Sequence, residues 1–358
     1  MKDLEDDLST SEKAAVDFVA TVRGRWSTTL YPALISQLEP GLPAPSTLDD
    51  AARRLRRLPL YAWFSHLERQ QQKMLWRVMA DIVAKRDHMV ADNLAVTTES
   101  RGQLQLDSQL ALPRWYTDVD IHLQPGALFT ADASAFIYEL GARVVMLRDN
   151  DGYKFHKLFA STALPEIPDA SLVVDVGCGF GKSTRPLRDR YPDAHIVGVD
   201  LSAPNLKLAH AHAEHEGVAI TYRQAPSYET GVADESADLV TGTMVLHEMP
   251  AQQIAETIAE AARILKPGGH IRFLEFWPTG DPIYDTTVIE HAERNNEPYF
   301  HDLFGTPFPD LLQEVGLIGG DWVPFDERSS GLSPEGRPQR DSWGFPWAVL
   351  VAQKPEVQ

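Results

Sequence analysis

The sequence is short of cysteine and of long apolar runs. Cys178 is its only cysteine, so no intrachain disulfide can form, and such usage is typical of a reducing compartment. No apolar run approaches the roughly 18 residues that a membrane-spanning helix needs. The first ten residues are acidic and lack the apolar core of a secretory signal. We therefore expect a soluble, cytoplasmic protein without a membrane span.

Positive charge is also scarce. Lys and Arg number 33 against 51 Asp and Glu, which gives a formal net charge of −18. Because phosphate backbones are held by basic patches, this balance argues against a nucleic-acid partner. The basic cluster from Arg53 to Arg57 is interpreted as the solvated face of a helix. A hydrophobic content of 43% over 358 residues indicates a globular chain with room for two domains.

The first part of the chain has helical periodicity. Residues 11–37 and 60–96 carry apolar side chains at helical spacing. Residues 1–97 are therefore predicted to form a helical region that either builds a homodimer or covers the active site. A plain structural lobe is the alternative.

Residues 98–165 are predicted to connect this region to the next one and to cover the active site. Residues 98–114 are polar and are interpreted as a linker. Residues 118–124 alternate polar and apolar side chains, which predicts a strand with His122 and Gln124 on one polar face. That face is either a wall of the active site or the wet side of an edge strand.

Strands and helices alternate over residues 166–358, which are predicted to form the main domain. This alternation requires a mostly parallel sheet with helices on both faces, a doubly wound α/β fold. An insertion at 278–309, after the fifth core strand, is rich in aromatic and polar residues. The predicted strands cover 172–176, 195–200, 219–224, 238–243, 270–276 and 347–353.

A glycine-rich turn follows the first of these strands. The run from Leu172 to Gly181 is apolar and then carries three alternating glycines, and Asp200 ends the next apolar run. Strand, glycine turn, helix and acid-ended strand together form a nucleotide-binding half-fold. A phosphate-binding P-loop would need glycine in place of Val176, and a dinucleotide fingerprint would need it in place of Lys182. Asp175 beside the turn favours a ligand with an ammonium group, as S-adenosylmethionine has.

From Leu172 to Lys354 the chain resembles the class I S-adenosylmethionine-dependent methyltransferases of the ubiquinone/menaquinone-methyltransferase-like branch. The resemblance implies a Rossmann-like, seven-stranded, mostly parallel sheet whose last strand runs antiparallel at the edge. The motifs that carry it are Asp175 to Gly181, Val199 to Ser202, Asp234 to Val240, Val245 to Glu248 and Arg263 to Gly269.

The resemblance also implies how the donor is held. Asp175 and Gly177 would bind its methionine end, Asp200 its ribose, and Leu201 one face of its adenine. The loop after the third strand lacks the Asp that relatives often place against the adenine amino group, so backbone or Ser227 takes that contact. The expected cofactor-binding set is Asp175, Gly177, Cys178, Gly179, Gly181, Asp200, Leu201, Ser227 and Thr243.

Methyl transfer is an in-line displacement, so the protein must position the acceptor and remove a proton from an oxygen or nitrogen nucleophile. The candidate catalytic residues are His247, His122, His301, Glu275 and Tyr299, with a histidine as the general base. Helix capping by the Leu246-His247-Glu248 segment and a solvated helix in the insertion are the competing interpretations. His210, His212 and His215 splay around a helix axis, so no metal site is expected.

The sequence thus predicts methyl transfer from S-adenosylmethionine to a small organic acceptor, whose nucleophilic atom (O, N, C or S) stays open. One alternative is a fold relative that uses the donor in a reaction other than methyl transfer. The other is a catalytically silent module that binds a protein partner.

Overall fold

The computed structural model describes residues 1–38, 43–95 and 100–356. The boundary expected at residue 97 lies outside these residues. Within them, no helix combines the length and the apolar character needed to cross a membrane. The α-helices are α1 (Thr10–Arg25), α2 (Tyr31–Ile35), α3 (Leu48–Arg56), α4 (Pro59–Ala84), α5 (Asp87–Leu94), α6 (Arg114–Thr117), α7 (Asp132–Val145), α8 (Lys154–Thr162), α9 (Thr184–Arg190), α10 (Ala203–Glu216), α11 (Ala251–Ile264), α12 (Pro282–Arg294), α13 (Phe300–Gly305) and α14 (Phe308–Glu314).

Nine strands of the described residues form one sheet in the order β1-β4-β3-β2-β5-β6-β9-β7-β8. The pairs from β1 to β6 in this order are parallel, and the pairs from β6 to β8 are antiparallel. The strands are β1 (Gln103–Gln105), β2 (Leu172–Val176), β3 (His195–Asp200), β4 (Thr221–Gln224), β5 (Ala237–Thr243), β6 (Leu265–Phe276), β7 (Ile318–Asp326), β8 (Gly331–Leu332) and β9 (Trp347–Gln353).

The predicted doubly wound, mostly parallel sheet is confirmed, but its edges differ from the expectation. At one edge, β1 comes from the segment interpreted as a linker and pairs with β4. At the other, β9 is antiparallel as expected but lies inside the sheet, because β7 pairs with its free side. Strand β1 is only three residues long and β7 contains two glycines, so neither has the apolar pattern by which a strand is recognised in a sequence. Their pairing depends on residues far away along the chain.

The sheet is buried on both faces, which explains the continuous apolar runs of its central strands. In β2, Val173 packs into the core on one side, while Val174 and Val176 pack into the core on the other. This follows from the two-residue period of a strand. Helix α11 covers the second face through Ile254 and Ile258.

The predicted strand at 118–124 is wrong. The chain forms α6 and then a 3-10 turn at Ile121–Leu123, in which His122 and Leu123 have φ values of 60° and 62°. The side chains therefore do not share a face. Gln124 is buried and donates to the carbonyls of Ala127 and Ser134, whereas Asp118 is exposed. The direction of each side chain in this segment is set by its own tertiary contacts and not by the alternation of polar and apolar residues.

The N-terminal helices pack against the rest of the chain. Helix α4 contacts α1, α7 and α12, and its Trp76 and Met79 share a core with Phe136 of α7. Glu68 of α4 is fully buried between His291 and Arg294 of α12. Both the insertion and the residues before β2 therefore contact this helix.

Candidate functional site

A cavity with an empty volume of about 680 Å³ lies at the carboxyl ends of β2, β3 and β5. This is where open α/β sheets bind ligands. Residues 114–128 and helix α7 close it from the other side. Its walls are Trp115, Tyr116, Ile121, Leu128, Tyr138, Gly177, Gly179, Asp200, Leu201, Asn205, Ala225, Ser227, Tyr228, Met244, Val245, Glu248 and Met249.

The glycine turn after β2 forms the floor of this cavity. Gly177 has a φ of 67°, and a Cβ at this position would overlap the side chain of Val245. Glycine is required there because both the backbone torsion and the space exclude other residues. The turn therefore presents bare backbone to the cavity.

Asp200 ends β3 and lines the cavity. Its Oδ2 accepts a hydrogen bond from the Gly179 amide at 2.8 Å, and its Oδ1 accepts one from the Ser202 amide at 2.7 Å. Burial raises the pKa of Asp200, although these amides oppose the rise. Each oxygen keeps a lone pair, so the carboxylate can accept two hydroxyl groups of a ribose.

Asp175 is fully buried and lies behind the turn, outside the cavity wall. Its Oδ2 accepts hydrogen bonds from the hydroxyls of Ser183 and Thr184, at 2.7 and 2.6 Å. Burial raises its pKa to about 6, against the effect of the two hydroxyls. Asp175 thus joins the turn to α9 through Oδ2, whereas its buried Oδ1 has no hydrogen-bond partner within the described residues; its expected contact with the donor stays a prediction.

Some of the other expected cofactor residues line the cavity, and the rest lie behind its wall. Gly177, Gly179, Leu201 and Ser227 line the cavity together with Asp200. Cys178, Gly181 and Thr243 lie behind the wall, with Cys178 packed in the core, where burial raises the pKa of its thiol. The Ser227 hydroxyl is 2.7 Å from that of Thr257.

Five ionisable side chains form a chain beside the cavity, which we call the carboxylate–histidine cluster: Glu275, His247, Glu248, His122 and Glu297. His247 Nδ1 is 2.7 Å from Glu275 Oε2, and its Nε2 is 3.5 Å from Glu248 Oε1. His122 Nε2 is 3.2 Å from that same Glu248 oxygen, and its Nδ1 is 3.0 Å from Glu297 Oε1. Only Glu248 of the five lines the cavity.

The carboxylates hold both histidines in the charged form. Burial alone would lower the pKa of His122, but Glu248 and Glu297 outweigh it and raise the pKa to about 9. The pKa of His247 is likewise raised well above its usual value by Glu275 and Glu248, again against burial. A raised pKa favours the protonated form of both histidines near neutral pH, which disfavours the general-base role expected for them.

Glu275 is placed by the fold to orient this cluster. Its side chain is fully buried, and Oε1 accepts hydrogen bonds from the amides of Val245 and Leu246. It thereby fixes the turn that carries His247 and Glu248. The structure supports a positioning role for Glu275 and no direct contact with the cavity.

The insertion places its two candidates differently. The Tyr299 hydroxyl donates to the Trp115 carbonyl at 3.0 Å, so it supports one wall of the cavity from behind. His301 is 61% exposed and lies 3.1 Å from Glu293. Helix α13 turns Phe300 and Leu303 inward, which leaves His301 on its outer face. The expected convergence of His301 on the reacting centre is therefore wrong.

Sequence reasoning missed the aromatic wall. Trp115 and Tyr116 directly follow the segment interpreted as a polar linker, and Tyr138 lies on α7. Their distance along the chain from the glycine turn gives no local signal. Tyr228 could have been found, because it stands in the loop where the resemblance already departs from the family pattern.

The comparisons with known proteins concern the sheet domain. Residues 173–269 match the family described as "Methyltransferase domain". A ubiquinone biosynthesis O-methyltransferase of Hahella chejuensis is 37% identical over 102 residues, 28% of this chain and 41% of that protein. The protein of that name from Alkalilimnicola ehrlichii is 35% identical over 154 residues, 43% of this chain and 53% of that protein.

A third relative has a different acceptor in its name. The malonyl-[acyl-carrier protein] O-methyltransferase of Hahella chejuensis is 35% identical over 99 residues, 28% of this chain and 34% of that protein. The chain thus spans about half or less of the length of these curated relatives.

The fold and the cavity at its strand ends define a nucleotide-binding α/β domain. The match over residues 173–269 and these relatives support a class I S-adenosylmethionine-dependent methyltransferase of the ubiquinone-methyltransferase-like branch, which confirms the resemblance. S-adenosylmethionine is the cofactor of this family. The cavity fits it, because Asp200 suits the ribose and because Asn205 Oδ1, a buried acceptor in the wall, has no hydrogen-bond partner within the described residues.

Proposed function

We propose that this protein transfers the methyl group of S-adenosylmethionine to a small organic acceptor. The observation that carries the proposal is that the glycine turn and Asp200 face an aromatic wall across one cavity. The glycine turn and Asp200 can bind the polar groups of the donor. The aromatic wall has the apolar surface that an organic acceptor needs.

The donor supplies an activated methyl group on a sulfonium, and the protein's residues provide binding and orientation. In this proposal the backbone at Gly177 and Gly179 takes the methionine end and Asp200 takes the ribose. Ala225 and Ser227 lie beside the adenine. Trp115, Tyr116 and Tyr138 would hold the acceptor and exclude water.

The relatives point to two acceptor chemistries. A ubiquinone biosynthesis O-methyltransferase acts in the making of ubiquinone, and a malonyl-[acyl-carrier protein] O-methyltransferase acts on a carrier-bound malonyl group, as their names state. The second acceptor carries a negative charge. An aromatic hydroxyl and a carboxylate are accordingly the first two classes to test here.

We propose that the parts of the chain outside the donor domain cover the active site and form a dimer surface. Residues 1–97 and the 278–309 insertion would close the site, and residues 98–165 would connect them to the donor domain. Trp63 and Leu67, one helical turn apart on α4, are 63% and 38% exposed, which supports a homodimer at this face. We place the protein in the cytoplasm on the basis of its lone cysteine.

The test is turnover of the full chain. Incubation with S-adenosylmethionine and a panel of small acceptors should release S-adenosylhomocysteine together with a product heavier by one methyl group, as detected by mass spectrometry. Release of the donor's other groups would favour a different reaction. Donor binding without turnover of any acceptor would favour the silent module. Light scattering in solution tests the dimer.

A further inference from the structure

Glu248 occupies an unusual position in the carboxylate–histidine cluster. Its Oε1 is shared by His122 and His247, whereas its Oε2 is buried and has no hydrogen-bond partner within the described part of the chain. An ionised oxygen that is buried and unpaired is costly. Because Glu248 also lines the cavity, a ligand bound there can supply a hydrogen-bond donor to this carboxylate.

The charge around this carboxylate is negative. With both histidines protonated, the three carboxylates and two imidazoliums of the cluster carry a net charge of −1. The cavity wall adds Asp200 and contains no Lys, Arg or His from the described ranges. Lys182 lies beside Tyr138, with its Nζ 5.6 Å from that ring's centroid, and it is not part of the cavity wall. A bound anion would therefore find no countercharge in the cavity wall itself.

The two histidines that contact Glu248 are themselves held in place by other residues. His122 is stacked on Tyr138, with ring centroids 6.0 Å apart and planes 7° apart, and it is tied to Glu297 from the insertion. His247 is held by the buried Glu275. Two oriented imidazoles therefore contact Glu248 Oε1, at 3.2 and 3.5 Å, and favour this position of the carboxylate.

On these observations, and resting on the proposed function, we propose that Glu248 determines acceptor specificity: the site takes an uncharged acceptor that donates an O–H or N–H hydrogen bond to Glu248, and it rejects carboxylate and phosphate acceptors. Rejection arises from repulsion by a fixed, poorly solvated carboxylate. Selection arises because only a hydrogen-bond donor satisfies Oε2. Of the two acceptor classes proposed above for testing, the hydroxyl is the one that fits.

The test compares two probes of the same ring system, naphthol and naphthoate, on the full chain saturated with S-adenosylhomocysteine at pH 7. Calorimetry should give at least tenfold tighter binding of naphthol. In the Glu248→Gln variant this preference should fall by tenfold or more, while the affinity for S-adenosylhomocysteine changes less than threefold. Retained S-adenosylhomocysteine binding also reports that the variant is folded.

Glu293→Gln is the matched control, since it removes one carboxylate charge from an exposed site on the insertion. It should leave the preference for naphthol unchanged. Equal or tighter binding of naphthoate by the wild type, or binding of neither probe, would overturn the inference. So would a loss of S-adenosylhomocysteine affinity of more than tenfold in Glu248→Gln, because Glu248 would then serve the donor. Absence of S-adenosylhomocysteine binding in the wild type would instead contradict the proposed function itself.

Discussion

Asp200 lies at the carboxyl end of β3 with one backbone amide on each carboxylate oxygen. These two bonds hold the carboxylate toward the cavity and leave it able to accept further donors. In the proposed function, truncation to Ala removes the acceptor for both ribose hydroxyls. We expect Asp200→Ala to weaken S-adenosylhomocysteine binding by roughly 1–3 kcal/mol, the usual cost of losing hydrogen bonds to a charged group.

Isothermal calorimetry measures this loss. Asp193→Ala, an exposed acid just before the same strand, is the control and should bind as the wild type does. If Asp200→Ala binds S-adenosylhomocysteine with unchanged affinity, the ribose is held elsewhere.

His122 makes the stability of the protein depend on pH. Its pKa rises from an ordinary value of 6.5 to about 9 in the folded state, where burial is outweighed by Glu248 and Glu297. The sign follows from linkage, since a raised pKa means that the folded state binds the proton more tightly. The resulting stabilisation is complete below about pH 6.5 and is lost as the pH rises through 9. Its upper size is roughly 3.5 kcal/mol, from about 1.4 kcal/mol per pKa unit.

Urea unfolding of wild type and His122→Gln at pH 6 and pH 9.5 tests this. His247, Tyr138, Glu248 and Glu297 also face His122 and remain in both proteins, so the difference between the two isolates the one imidazole. The wild type should be more stable than the variant at pH 6, and most of that advantage should vanish at pH 9.5. An advantage that stays constant with pH would show that His122 is not charged in the folded protein.

At the scale of elements, α4 and α12 are joined by a buried ion pair. Glu68 of α4 has no exposed surface and contacts His291 and Arg294 of α12. Removing one partner of such a group leaves the other charges buried without compensation, which costs about 3–5 kcal/mol. Glu68→Ala should therefore lower the free energy of unfolding by this amount, as measured by urea denaturation.

Asp81→Ala provides the comparison on the same helix, because Asp81 is exposed. Its effect should stay within about 0.5 kcal/mol, as for most surface substitutions. If both variants are equally stable, the contact between α4 and α12 does not contribute to folding, and the N-terminal helices are attached by other means.

At the scale of the whole molecule, the N-terminal helices share a core with the segment that closes the cavity. Trp76 of α4 packs with Phe136 and Leu140 of α7, and α7 also supplies Tyr138 to the cavity wall. Deleting residues 1–97 would expose this apolar surface to water. We expect the truncated chain to be insoluble or to lose turnover.

Solubility on expression, followed by the S-adenosylhomocysteine release assay, checks this expectation. A soluble, monomeric chain starting at residue 98 with full turnover would refute it. The proposed cover over the active site and the proposed dimer surface would both then be wrong.

Local sequence determined the donor half of this protein. A strand buried on both faces needs a continuous apolar run, as from Leu172 to Val176, and a turn with positive φ beside a packed side chain needs glycine, as at Gly177. An acid after the next apolar run places Asp200 at the same sheet edge. These requirements act over a few residues, so they can be predicted from the sequence without the structure.

Tertiary structure alone decided the other half. His122 and Glu297 are 175 residues apart and meet only because α6, the 3-10 turn after it and the insertion dock on one side of the sheet. Two neighbouring carboxylates there raise the pKa of a histidine to about 9, which disfavours the general-base role expected for it. The same docking brings Trp115 and Tyr138 to the cavity and leaves His301 in solvent. Charge state and side-chain direction depend on contacts across the fold, and no spacing along the chain encodes them.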